Sequence, residues 1–171
     1  TLLTPSTKAP KGEHDESVSK AQLIERGLID ADTFETLEAS VMKLFAFGQR
    51  KAAERGLILV DTKYELGRTP DGRIVLIDEI HTPDSSRYWY ADGYDAAMEA
   101  GNDPRALDKE FVRRWLVEQG FRGEGTPPAL TDEIRLEAAQ RYIEIYEQLT
   151  GRDFVPDRDP PLARISRNLG G

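Results

Sequence analysis

Asp61, Lys63 and Glu65 sit at alternate positions in an apolar stretch, Leu57-Ile58-Leu59-Val60-Asp61-Thr62-Lys63-Tyr64-Glu65-Leu66-Gly67. A second apolar run, Ile74-Val75-Leu76-Ile77, ends in Asp78-Glu79. Carboxylates are hard oxygen donors of the kind that hold Mg²⁺ on the phosphates of a nucleotide. Between the two runs, Thr69-Pro70-Asp71-Gly72 has the chemistry of a chain reversal, so the whole segment reads as a β-hairpin. Strands alternate faces, which puts Asp61, Lys63 and Glu65 on one side. If the loop has an even number of residues, Glu65 and Asp78 share a face, roughly 5–8 Å apart at their β-carbons, a gap that one divalent cation bridges. An odd loop sends them to opposite faces.

The elements around this segment read as mostly helical. Residues 1–16 are polar, with two prolines and a glycine, and form an extended loop entering a helix capped near Ser17 or Ser19 and running to about Gly27. Asp30 or Asp32 opens a long amphipathic helix whose stripe is Phe34, Leu37, Val41, Phe45 and Ala52, with Gly56 placed as a C-cap. Arg50, Lys51 and Arg55 form its exposed end, where cations suit the helix dipole. An irregular stretch, His81 to Trp89, comes after the hairpin, with His81 ending the strand rather than binding metal. Helical patterns resume over Gly93–Ala100 and Leu107–Gln119. After a Gly/Pro-rich connection, Thr131 caps a helix striped by Ile134, Ala138, Tyr142, Ile145 and Leu149 and stopped by Gly151. A short segment, Leu162–Leu169, lies near the end of the chain. Trp89, Trp115, Tyr142 and Tyr146 read as core anchors. The fold class is α+β: helices around a hairpin that belongs to a larger antiparallel sheet, since an isolated hairpin is marginal in water. The 171 residues read as one domain, divided into a loop at 1–16, the hairpin and loop at 57–89 and a helical region at 91–171.

Composition narrows the function. Net charge is −8, which argues against a generic nucleic-acid binder, and no apolar run approaches the ~20 residues of a membrane span. The absence of cysteine excludes a disulfide scaffold, a thiolate metal site and a Cys nucleophile, and two separated histidines make a poor zinc site. Without a signal-peptide pattern, a cytoplasmic location is the default.

Leu59-Val60-Asp61-Thr62-Lys63-Tyr64-Glu65-Leu66-Gly67 closely resembles the Asp-x-Lys-x-Glu-x-Gly signature of the SAICAR synthetase family, the phosphoribosylaminoimidazole-succinocarboxamide synthases. Leu76-Ile77-Asp78-Glu79 with Thr82-Pro83-Asp84-Ser85-Ser86-Arg87-Tyr88-Trp89 is similar to its next motif. Thr4-Pro5-Ser6-Thr7-Lys8 with Gly12-Glu13-His14-Asp15-Glu16 is similar to its substrate loop, and Ala106-Leu107-Asp108-Lys109-Glu110-Phe111-Val112-Arg113 to the helix after that motif. The resemblance runs through essentially the whole chain but places it as the C-terminal part of the enzyme. The family's glycine-rich nucleotide loop and phosphate-binding lysine have no counterpart here.

The resemblance implies a ligation in purine biosynthesis: ATP, a carboxyaminoimidazole ribonucleotide and L-aspartate yield SAICAR, ADP and phosphate through an acyl phosphate. The nucleotide site of the family is kinase- or ATP-grasp-like. On that basis Glu65 and Asp78 are the Mg²⁺ ligands and, with Lys63, the catalytic set. Lys63 holds the substrate carboxylate, Asp84 accepts from amino or ribose groups, and Arg87 clamps an anionic oxygen. Lys109 and Arg113, four apart on a helix, meet the ribonucleotide phosphate, with Lys8 a weaker candidate for that anion. His14 contacts substrate or bonds Asp15 within its loop.

Each assignment has a plainer reading: edge-strand acids for Glu65 and Asp78, a solvated helix face for Lys109 and Arg113, and a structural ion pair for Arg87. The competing function is a non-catalytic module that binds a phosphorylated metabolite or a partner. The aspartate-binding residues and association into a homo-oligomer stay open. Because no residues here resemble a phosphate-cradling loop, the isolated 171-residue chain is expected to show no aspartate-dependent ADP release. Release measured in a coupled assay would overturn that expectation.

Overall fold

The computed structural model describes residues 1–10, 12, 14–107 and 110–170, with the side chain of Glu110 outside the description. The chain divides into two compact units, Thr1–Leu107 and Asp108–Gly171. The architecture is α+β, as expected.

The first unit begins with a loop whose arms pair with each other. Ser6 and Ser17 form an antiparallel bridge, Thr7 N donates to Glu16 O at 2.9 Å, and Val18 N donates to Pro5 O at 3.1 Å. Helix α1 (Lys20–Glu25) starts on a capping box in which Ser19 and Gln22 satisfy each other's backbone N–H groups. Helix α2 (Ala31–Ala53) is capped by Asp30, whose carboxylate accepts from Thr33 N at 2.7 Å. Its buried stripe is Phe34, Val41, Gly48 and Ala52, while Leu37 and Phe45 are half-buried. Gly48 is the member the apolar pattern omits, because glycine carries no hydropathy signal.

The expected single hairpin is corrected. Strand β1 (Leu57–Thr62) ends before Lys63, and β2 (Leu66–Arg68) pairs with β3 (Ile74–Leu76) as a separate two-stranded sheet. The partner of β1 is β4 (Ser86–Tyr90), which takes up the last four residues of the stretch expected to be irregular, and Tyr90. Tyr88-Trp89-Tyr90 carries an aromatic strand signal, but the preceding Thr, Pro, Asp and Ser mask it.

The β1–β4 pair holds the core of this unit. Leu57 faces Tyr90 and Leu59 faces Tyr88, and Leu57, Leu59 and Tyr88 are each 1% exposed. Burying a side chain of this size is worth about 1.5–3 kcal/mol. The register then slips between Leu59 and Asp61: Val60 is the extra residue of a β-bulge, so Asp61 pairs with Arg87 and Thr62 with Ser86. Trp89 is half-buried, paired with Ile58 and stacked on Tyr94 at 5.7 Å, and Arg105 lies 3.4 Å over the Tyr90 ring. Helix α3 (Tyr94–Glu99) closes the unit.

The second unit contains α4 (Glu110–Glu118), α5 (Asp132–Thr150) and α6 (Pro161–Asn168). Thr131 caps α5 and Gly151 ends it at φ 67°, both as the spacing predicts. Ile145 is buried, but Tyr142 and Tyr146 are 38% and 40% exposed, so neither is the core anchor expected of it. The Tyr146 ring instead meets Phe154 edge-on at 5.9 Å. Trp115 is half-buried. Among the described residues no helix is long and apolar enough to cross a membrane.

Gly48 gives the fold a testable constraint. A β-carbon there falls 2.6 Å from His81 Cε1 and 2.7 Å from Leu59 Cδ2, so the ring and the leucine both have to move. Replacing glycine inside a helix by alanine ordinarily stabilises by about 1 kcal/mol. Gly48→Ala is expected to do the opposite, lowering stability by about 1–3 kcal/mol through overpacking, as read from thermal unfolding. A raised melting temperature would show that this contact yields freely.

Candidate functional site

Two segments far apart in sequence meet around one carboxylate. The connector between β1 and β2, Lys63 to Glu65, is stitched on both sides: Lys63 N donates to Ser85 O at 2.8 Å, and Ile77 N donates to Glu65 O at 3.0 Å. This backbone holds the side chains of Lys63 and Glu65 toward the N-terminal loop. Lys8 Nζ reaches both Glu65 oxygens, at 2.8 and 2.7 Å, from 57 residues away. Lys63 Nζ lies 2.8 Å from Glu65 Oε1 and 3.5 Å from Asp15 Oδ2. The other oxygen of Asp15 accepts from Ala9 N at 2.9 Å, which closes the loop on itself.

The electrostatics follow from these distances. The ammonium groups of Lys63 and Lys8 hold the Glu65 carboxyl below the usual carboxylate range, and Glu65, helped by Asp15, raises Lys63. Asp15 is lowered, first by the Ala9 N–H and then by Lys63. The Glu65 side chain is 16% exposed, whereas Lys8 and Lys63 are well exposed, so the carboxylate is the enclosed member of the cluster.

Arg87 forks onto Asp61, its strand partner: Nε lies 3.0 Å from both carboxylate oxygens, and Nη2 donates to Oδ2. The pair lies on the outward face that the bulge at Val60 creates. Asp84 is exposed in the turn that Ser85 N closes on Thr82 O at 3.2 Å. Asp78 is exposed, and its Oδ1 accepts from Glu79 N at 2.9 Å.

The shared face expected for Glu65 and Asp78 is corrected by the register. The connection from β2 to β3 runs Thr69 to Arg73, five residues and therefore odd. Leu66 pairs with Leu76, and the Ile77–Glu65 hydrogen bond continues that register by one step. Glu65 is thus opposite Ile77, and Asp78 lies just beyond the ladder. Any convergence of the two carboxylates depends on the loop after Ile77. Among the described residues no group of three or more His, Asp or Glu side chains forms a metal cage. The donor set still suits Mg²⁺, which is usually held by one or two carboxylates together with substrate phosphates and water.

Of the remaining expected residues, Arg113 is exposed on α4 in the second unit, and Lys109 lies outside the described residues. His14 is exposed, and its neighbour Asp15 makes the loop-ordering contacts. Sequence spacing gives no sign of the Asp15–Lys63 pair, the Asp61–Arg87 pair or the bulge, because all three arise from register and chain reversal.

Comparison with known proteins bears on these positions directly. The family model for SAICAR synthetase matches residues 1–128. A phosphoribosylaminoimidazole-succinocarboxamide synthase of Bacteroides thetaiotaomicron is 48% identical over 171 residues, covering 98% of this chain and 54% of its own length. A putative phosphoribosylaminoimidazole-succinocarboxamide synthase 2 of Agrobacterium fabrum is 45% identical over 170 residues, with the same coverage of 98% and 54%. Among solved structures, a SAICAR synthase from Saccharomyces cerevisiae complexed with SAICAR matches with a TM-score of 0.68 at 33% identity, over 83% of this chain and 46% of that one. A SAICAR synthetase in complex with ADP matches with a TM-score of 0.59 at 29% identity, over 84% and 48%. The chain spans about half the length of the curated relatives it matches. The Lys8 loop, the Asp61–Glu65 signature and the Asp78–Arg87 motif all fall within the matched stretch, and the chain belongs to the SAICAR synthetase family.

Proposed function

We propose that this chain carries the substrate-facing part of an ATP-dependent ligase that joins L-aspartate to a carboxyaminoimidazole ribonucleotide, giving SAICAR, ADP and phosphate in purine biosynthesis. One observation carries the reading: Lys8 and Lys63, from two separate motifs, converge on the single carboxylate of Glu65. The names of the relatives support it, as do the SAICAR and ADP held by similar structures.

The chemistry asks for such a site. A carboxylate acylates poorly because oxide is a poor leaving group. In the first step a carboxylate oxygen of the ribonucleotide attacks the γ-phosphorus of ATP, the bond to the β–γ bridging oxygen breaks, and ADP departs. The aspartate amine then attacks the carbonyl carbon. The C–N bond forms, the C–O bond to the phosphoryl group breaks, and phosphate leaves as the nitrogen gives up a proton.

Phosphoryl transfer is largely positioning and charge neutralisation. Lys63 pairs with the substrate carboxylate on this reading and relieves its repulsion from the triphosphate. Asp84 accepts from the amino or ribose groups of the ribonucleotide, and Arg87 meets one of its anionic oxygens. Its phosphate is assigned to Lys109 and Arg113, with Lys8, which pairs with Glu65, as the weaker alternative. Asp78 and Glu65 would hold Mg²⁺, which supplies charge neutralisation when bound. A cytoplasmic location is the default that accompanies this reading.

Two substitutions in the protein at the full length of its relatives test this reading. Asp78→Asn is expected to fold normally by circular dichroism and to lose turnover by at least about a hundredfold, the scale on which removing a preorganised transition-state contact acts. Wild-type turnover at saturating Mg²⁺ would remove Asp78 from the metal. Arg113→Ala is expected to raise the KM for the ribonucleotide about tenfold or more while leaving the KM for ATP within about twofold, the loss of a charge-assisted contact to one ligand. Equal losses for both ligands would place Arg113 in a different pocket. Retained ribonucleotide binding without turnover in the wild-type protein would favour the non-catalytic module.

A further inference from the structure

Between Lys63 and Glu65, Tyr64 points away from the N-terminal loop and into the protein. Its Oη lies 2.6 Å from His81 Nε2, and the two rings meet edge-on at 5.7 Å and 70°. His81 has φ 56°, the only non-glycine at positive φ among the described residues. A residue with a bulky side chain stays in that region only when its surroundings over-determine it.

Three neighbours do so here. Tyr88, itself 1% exposed, donates its hydroxyl to His81 O at 2.7 Å. Tyr64 holds the ring nitrogen. Gly48 of α2 leaves the space that the ring fills, since a β-carbon there falls 2.7 Å from Nε2. Burial pushes both phenols up to about 12 and the imidazole below its ordinary range, so the Tyr64–His81 contact is a neutral hydrogen bond at physiological pH.

The position of this contact matters more than its strength. His81 is three residues after Asp78 and three before Asp84. Backbone bonds tie the loop to the Lys63–Glu65 connector at its two ends, Ile77 to Glu65 and Ser85 to Lys63. The β2–β3 ladder stops before Asp78 and cannot orient it toward Glu65. Between the two ends, the Tyr64–His81 bond joins the same connector to the middle of the loop.

We propose that Tyr64 and His81 are positioning residues: their hydrogen bond fixes the loop from Asp78 to Asp84 against the Lys63–Glu65 connector, so that Asp78 and Glu65 offer oxygens to one cation. This inference rests on the metal reading given under Proposed function. Tyr64→Phe removes only the hydroxyl, and His81→Asn removes the distal nitrogen while keeping a residue that tolerates positive φ.

The test measures Mn²⁺ affinity by water-proton relaxation in the full-length protein with ADP present, for both single variants, the double variant, Glu65→Gln and Asp78→Asn. Each positioning variant is expected to weaken Mn²⁺ binding about three- to tenfold, the worth of one neutral hydrogen bond. The double variant is expected to be no weaker than the weaker single, because both remove the same bond. Thermal unfolding confirms that each protein is folded at the temperature of measurement. Should His81→Asn fail to fold, Tyr64→Phe decides the matter alone, since it keeps the ring and its packing. Unchanged affinity in Tyr64→Phe, or losses that multiply in the double variant, would overturn the positioning role while Glu65→Gln and Asp78→Asn still report the metal site. Wild-type affinity in both carboxylate variants would overturn the metal reading and this inference with it.

Discussion

One extra residue, Val60, decides where the charged end of β1 points. Up to Leu59 the strand turns its odd positions into the core, against Tyr90 and Tyr88. Without a bulge the same alternation would carry Asp61 inward, where an unpaired carboxylate is costly. The slip at Val60 exchanges the faces: Thr62 and Ser86 take the inward side and bond each other at 2.9 Å, while Asp61 emerges opposite Arg87. Bulges re-aim side chains in this way at the ends of paired strands. The connector with Lys63 and Glu65, bonded to both neighbouring segments, inherits its direction from this point.

The packing that supports the bulge is modest in size and concentrated in place. Each sheet has two strands, too few for independent stability. α2 packs against β1, and its stripe ends in Gly48 and Ala52, where small residues let helix and strand approach. Ala52 is fully buried, and Gly48 accommodates both Leu59 and His81. The close approach comes from the absence of side chains, since a β-carbon at Gly48 would collide with both neighbours. The N-terminal loop is held differently, by ion pairs and turn hydrogen bonds. Exposed pairs contribute about 0–1 kcal/mol each, so this loop is ordered by several weak contacts that include Glu16 with Arg26 at 2.8 Å.

Helix termini are the most legible part of the sequence. Ser19, Asp30, Thr131 and Gly151 are caps in the structure because capping is a local hydrogen bond that a few neighbouring residues decide. The signature motifs are legible too, as patterns of residue type. Register is not. A run from Leu57 to Gly67 looks like one strand, and only the non-local partner, Ser86 to Tyr90, reveals that pairing changes at Lys63. Loop parity decides whether Glu65 and Asp78 share a face, and the five residues from Thr69 to Arg73 fall on the odd side. Glycine and histidine hide a third feature. Gly48 is silent in any apolar pattern, and a lone histidine after a strand gives no sign that it sits at positive φ between two tyrosines.

The charge balance of the cluster bears on how the proposed ligation proceeds. Lys8 and Lys63 together cancel Glu65 and Asp15, so the group is neutral as it stands. On the proposed assignment, a substrate carboxylate that takes Lys63 draws a cation away from Glu65, whose side chain is only 16% exposed. The added carboxylate leaves the group one negative charge in excess, which favours a cation at Glu65, and such a cation would compete with Lys8 for the same oxygens. On the proposed assignment, therefore, substrate and metal favour each other through Glu65 without touching. The bond between the N-terminal loop and the connector is the contact they both loosen. A neutral cluster of two exposed lysines and two carboxylates is suited to that exchange, because each exposed ion pair given up is weak.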